Sequence, residues 1–167
     1  MSLEMLESSS FTQNPLDLME EIVSSNDWVF ERASREEMLV EVAGRWCNYR
    51  MFFFWQDEFS AMQFSCQYDM KVPAARLPAV YELLATVNER LWLGHVDVDA
   101  EEQVPMFRHT VLLRGIQAAS VEVLEDLVDI ALTECERYYP AFQFVIWGGK
   151  TASEAVTAAI LDTVAEA

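Results

Sequence analysis

His95, Asp97 and Asp99 are the residues whose types and spacing come nearest to chemistry in this 167-residue chain. On an extended segment residues two apart share one face, so an imidazole and two carboxylates could converge on a divalent metal, with Glu101 or His109 as a further ligand. The same alternation arises on any solvent-facing strand whose opposite side, here Val96 and Val98, is buried. A metal- or small-ligand-binding protein, and in its extended form an enzyme, is therefore the alternative reading. Other signatures are weaker. Gly148-Gly149-Lys150-Thr151 matches the end of a phosphate loop, but Phe144 stands where the GxxxxGK pattern requires its first glycine, and the run reads as a helix stop followed by a cap. No serine occupies a nucleophile elbow. Glu20-Glu21, Glu36-Glu37 and Glu101-Glu102 read as solvated faces, since nothing around them suggests desolvation. The expectation is a protein without catalytic residues and without a cofactor.

Charge narrows the partners. The chain carries 28 acidic and 11 basic residues, a net charge of −17. A field of that sign repels phosphate backbones, so sequence-independent nucleic-acid binding is not expected. Basic or amphipathic polypeptides are favoured instead. A third reading, an acidic decoy for basic or nucleic-acid-binding proteins, shares this origin. No apolar run approaches the ~20 residues of a membrane span. The first ten residues lack an apolar signal region and carry acids where a signal peptide would carry bases, so a cytoplasmic protein away from membranes is expected. The three cysteines, Cys47, Cys66 and Cys135, have no metal-ligand spacing and read as small core hydrophobes.

A chain of this size builds one core. Residues 1–13 are polar and serine-rich and read as a mobile leader. At Asn14-Pro15 the pattern changes to a helix over 15–25, with Leu16, Met19, Ile22 and Val23 at helical spacing. Strands follow at 28–32 and 37–43. Pro73 opens a helix to about Trp92 along Leu77, Val80, Leu84, Val87 and Leu91, with Pro78 predicting a kink or a separate first turn. Gly94 stops it, and 95–99 with 105–113 form a strand pair. Ser120 begins the longest helix, on the seam Val121, Leu124, Val128, Ala131, Cys135, Tyr138, Phe142 and Val145. Pro140 predicts a break near Tyr139, because an unbroken helix would lose about 3 kcal/mol there. Gly148-Gly149 ends it. Thr151 to Glu154 has the capping-box form and opens a short, alanine-rich tail helix over 150–167, the least stable element.

Between the first and second helices lies the densest aromatic stretch, residues 48–69. Folding it antiparallel about Asp57–Phe59 sets Tyr49, Met51, Phe53 and Trp55 opposite Tyr68, Cys66, Phe64 and Met62, a wholly apolar face. The other face pairs Arg50 with Gln67, Phe52 with Ser65 and Phe54 with Gln63. Leu39, Phe52 and Phe54 there, with Tyr138, Phe142 and Trp147 on the long helix, exceed what one layer of a two-layer domain must bury. Helices on both faces would make them core; otherwise they form a dimer or partner surface.

The order helix, strand meander, helix, strand pair, long helix, with the segment from Trp28 to Asp69 and the closing VIWGGKTASEAV, resembles the YbjN family of bacterial proteins. The resemblance runs from Asn14 to the end of the chain, with residues 14–149 as the single domain. It implies a sensory transduction regulator with a fold similar to type III secretion chaperones, which are small, acidic, cytoplasmic and usually dimeric. The expected fold is α+β, an antiparallel meander sheet in the order α-β-β-β-β-α-β-β-α plus a short C-terminal helix. The expected function is a non-enzymatic, homodimeric, protein-binding regulator. The resemblance implies no active residues.

Overall fold

Residues 11–166 are described by the structure, a computed structural model. Helix α1 (Leu16–Ser25) leads into β1 (Val29–Arg32), β2 (Glu37–Ala43), β3 (Asn48–Gln56) and β4 (Ala61–Gln67). A 3-10 turn over Ala74–Arg76 precedes α2 (Leu77–Asn88), and β5 (His95–Val98), β6 (Pro105–Leu112), α3 (Val121–Ile146) and α4 (Ala152–Glu166) follow. This is the α+β order expected from the sequence.

All strand pairs are antiparallel, in one six-stranded sheet of order β1-β2-β3-β4-β6-β5. Side-chain alternation sets its register. Met51 lies opposite Cys66, Phe53 opposite Phe64 and Trp55 opposite Met62, while Phe52 faces Ser65 and Phe54 faces Gln63. A slip of one residue would turn every ring of this hairpin to the wrong side, which is why so aromatic a strand has a single pairing.

The face carrying Met38, Val40, Met51, Phe53, Trp55, Met62 and Phe64 is buried beneath the helices. Leu16, Met19 and Val23 of α1, Val80, Leu83 and Val87 of α2, and Leu124, Ala131 and Phe142 of α3 join it in one core. Rings from both layers interlock: Phe53 lies 5.0 Å from Phe64, and Tyr68 lies 5.1 Å from Phe142. The buried Tyr68 hydroxyl donates to the Cys135 carbonyl at 2.9 Å, so its polar end costs little in this apolar setting.

Three expectations need correction. Helix α3 runs unbroken through Pro140. Proline removes one intrahelical donor, but Cys135, Tyr138, Ala141, Phe142 and Val145 around it are all buried, and tertiary packing holds the axis where local propensity alone would break it. The leader does not extend to residue 13. Thr12 is buried and its hydroxyl donates to the Leu113 carbonyl at 3.2 Å, while the Gln13 amide donates to Gln117 at 2.9 Å; residues 1–10 lie outside the described part. The second helix ends at Asn88 rather than near Trp92. Pro78 falls in its first turn, where a missing amide hydrogen costs nothing, so the separate first turn is the observed outcome. The tail helix belongs to the same core, with Ala155, Val156 and Ala159 buried.

Asn88 stops α2 by turning to the sheet. Its side-chain oxygen accepts from the Val96 amide at 2.7 Å and its side-chain nitrogen donates to the Val96 carbonyl at 3.2 Å. Gly94, at φ +66°, makes the reversal between the two, and a Cβ there would stand 2.4 Å from Phe107 Cζ and 2.8 Å from the Arg108 carbonyl.

Candidate functional site

The helices cover one face of the sheet; the other presents side chains from all six strands. The register places these in rows across it. One row runs Glu31, Leu39, Phe52, Ser65, Arg108, His95, and the next runs Glu37, Phe54, Gln63, Thr110. Beyond the first row on its other side stand Val29, Glu41, Arg50 and Gln67. Leu39, Phe52 and Phe54 are each half-buried on this face. The Arg50 guanidinium lies 5.5 Å from the Phe52 ring centre, a cation–π contact that keeps the ring from lying fully open.

Two shallow recesses flank these rings. One of about 350 Å³ is lined by Glu31, Glu37, Leu39, Phe52 and Phe54, and one of about 400 Å³ by Phe52, Phe54, Ser65, His95, Asp97 and Arg108. Glu31, Glu37 and Glu41 stand on the β1–β2 side of the strip, while Arg50 and Arg108 stand on β3 and β6, Arg108 with Asp97 beside it. Such a surface can hold an extended or sheet-like polypeptide by apolar contact and opposite charges.

Of the expected contact residues, the fold brings Leu39, Phe52 and Phe54 together here. Tyr138 and Phe142 are in the core, 2% and 0% exposed, and are closed to any partner. The seam that suggested a surface is the stripe α3 uses to hold its own sheet. Trp147 is 60% exposed at the end of α3 and belongs to the helical layer, not to this face.

The four residues of the metal reading are not assembled for a metal. Asp97 bridges Arg108 at 3.2 Å and accepts from the Val98 amide. The Asp99 carboxylate accepts from the amides of Glu101 and Glu102 and so builds the β5–β6 turn. His95 pairs with Arg108 and His109 with Phe64, and both imidazoles line the recess of about 400 Å³ together with Asp97 and Asp99. Burial, and then the neighbouring His95, push the His109 pKa below its ordinary value. Among the described residues no group of three or more histidines, cysteines or acids could hold a metal ion.

Two arrangements escaped the sequence. Glu136 on α3 accepts from the Arg45 amide at 2.6 Å and from the Tyr49 hydroxyl at 3.1 Å, tying the β2–β3 turn to the helical layer. Glu136 lies outside the α3 seam, and its spacing gave no signal for a contact with a turn about ninety residues away. Cys66 and Cys135 also meet in the core: a hydrogen bond between the thiols, then burial, push Cys66 well above the ordinary thiol range. Burial likewise raises the half-buried Cys47. Thiolates are the reactive form, so a thiol reagent at neutral pH should modify Cys47 slowly and Cys66 and Cys135 only on unfolding. Three fast-reacting thiols in the native protein would contradict this.

A family model described as "YbjN: Putative bacterial sensory transduction regulator" matches residues 15–144. A structure titled "Crystal structure of YbjN, a putative transcription regulator from E. coli" is similar at 11% identity, covering 90% of this chain and 92% of that one with a TM-score of 0.49. No curated protein matches the chain. Among the described residues no helix is long and apolar enough to cross a membrane.

Proposed function

Because the chain belongs to the YbjN family, a family described as regulators, we propose that it is a non-enzymatic, cytoplasmic regulator that works by holding polypeptides in a chaperone-like manner, and as a homodimer. The observation that carries this reading is the strip of Leu39, Phe52 and Phe54 on a sheet face that no described element covers. Half-buried rings at the centre of a face with charged flanks have the composition of a contact surface, not of a reaction centre. Of the carboxylates near it, Asp97 is engaged in an ion pair and Asp99 in a turn, which suits a static surface better than proton transfer.

The test is binding of a synthetic peptide of alternating leucine and lysine, followed by calorimetry, to the wild type and to the double variant F52S/F54S. Binding that falls at least about tenfold in the variant, corresponding to roughly 1.4 kcal/mol, supports the reading. Binding that salt abolishes but the variant retains would identify an acidic decoy. A protein that binds no peptide in either form, and stays a single chain in solution, would remove the proposal.

A further inference from the structure

We infer that the recess between the β2–β3 turn, α3 and α4 is a binding site for a free α-amino acid with an aromatic side chain. Its volume is about 420 Å³, within the range of about 300–1,000 Å³ that small-molecule sites occupy. No residue of the uncovered sheet face lines it, so the site stands apart from the surface assigned to polypeptide contact.

Trp46, Leu132 and Pro140 give the recess an apolar wall. That wall is already fixed. Trp46 stacks on Tyr139 with ring centres 5.9 Å apart and planes 6° from parallel, and the Arg45 guanidinium lies 4.6 Å from the Trp46 ring centre. Held in this way, Trp46 is still 37% exposed. An incoming ring therefore meets a surface that loses little freedom on contact.

Both charges of a zwitterion are answered beside this wall. Arg45 and Arg137 line the recess, two of only 11 basic residues in the chain. Arg137 gives Nη1 to Glu134 at 2.8 Å, which engages part of its five-donor fork and leaves further donors for a carboxylate. Glu136 and Asp162 supply the opposite sign. The Glu136 carboxylate is held in place by the Arg45 amide and the Tyr49 hydroxyl, and its oxygens have room for a further donor. Pro140 adds a third acceptor. In a regular helix each carbonyl takes the amide four residues on, and for Glu136 that residue is Pro140, which has no N–H. The Glu136 carbonyl is left without that donor beside the proline ring, and both residues line the recess. An ammonium carries three hydrogens, and the Glu136 carboxylate, the Glu136 carbonyl and Asp162 are three acceptors. An anion alone would meet Glu136 and Asp162, and a cation alone would meet Arg45 and Arg137. A zwitterion satisfies both signs, and its side chain takes the apolar wall.

Isothermal titration calorimetry on the full chain tests this with L-phenylalanine and L-tryptophan, each beside its deaminated counterpart (the 3-arylpropanoate) and its decarboxylated one (the 2-arylethylamine). At least one of the two amino acids should bind with a Kd of about 1 mM or tighter. Both counterparts of that amino acid should bind about tenfold more weakly or worse, because each leaves one set of charged groups without a partner. Arg137→Gln and Asp162→Asn should each weaken the amino acid by about tenfold or more, with melting followed by circular dichroism verifying that the variants fold. F52S/F54S should bind it as the wild type does, which separates this site from the contact face. Absence of binding by both amino acids at millimolar concentration overturns the inference. So does an amine or an acid that binds as tightly as the amino acid, or an affinity that either charge-removing variant leaves unchanged.

Discussion

Replacing Phe142 with alanine should lower the unfolding free energy by about 3–5 kcal/mol, the range for deleting a fully buried ring. Phe142 is 0% exposed, packs 5.1 Å from the Tyr68 ring and sits where α3 crosses the sheet. Little nearby can move to fill the space, because Tyr68 is held by its hydrogen bond to Cys135 and Tyr139 stacks on Trp46 at 5.9 Å. For a chain of this length each kcal/mol shifts Tm by roughly 2–4 °C, so thermal unfolding should drop by about 6–20 °C. Phe52→Ala, on the uncovered face, should cost under about 1 kcal/mol in the isolated chain. Denaturant titration of both variants at a concentration too low for self-association makes the comparison. Equal losses at the two positions would mean that the assignment of one ring to the core and the other to a contact surface is wrong.

A loss of about 3 kcal/mol is expected for Gly94→Ala, from two causes that act together. At φ +66° an L-residue is strained by about 1–2 kcal/mol, and the added methyl would stand 2.4 Å from Phe107 Cζ. Phe107 is itself fully buried and cannot swing away without opening the core under β6, and the Arg108 carbonyl at 2.8 Å is backbone. The damage should be local as well as global. Hydrogen exchange should accelerate first in β5 and at the Val96 amide, ahead of the β2–β3–β4 centre, because the reversal at Gly94 positions that strand. Gly94→Ala with wild-type stability would show that the turn has another conformation within reach.

The central hairpin could be read ahead of the structure residue by residue. Alternation in 48–56 and 61–67 is so regular that one register satisfies it, and that register is the observed one. The same alternation placed Phe52, Phe54 and Leu39 together on the second face, but whether helices cover that face could not be read from it. What could not be read was which apolar stripes are shared between layers. Tyr138 and Phe142 have the types of interface residues, and only the packing of α3 on β4 shows them to be inside. His95, Asp97 and Asp99 misled for a related reason. Spacing places side chains on a face but does not say that Asp99 will fold back on its own turn or that Arg108 will take Asp97. Pro140 is the reverse case, a strong local signal overruled by its surroundings. The flanking charges Glu31, Glu41 and Arg108 were individually unremarkable, because their alignment into rows needs the pairing of β1 and β6 as well as the central hairpin.

The two hydrogen bonds between Asn88 and Val96, one donated by each residue, mean that one rim of the sheet is not an open template. An amide side chain fills the place a seventh strand would take, and Asp97 withdraws the next amide, that of Val98, from recruitment. Lateral growth, the route by which strand-rich proteins become fibres, is blocked on that side. Association rim to rim has no natural end. Asn88→Ala would unseal the rim, and its cost would be measured in solubility more than in unfolding free energy.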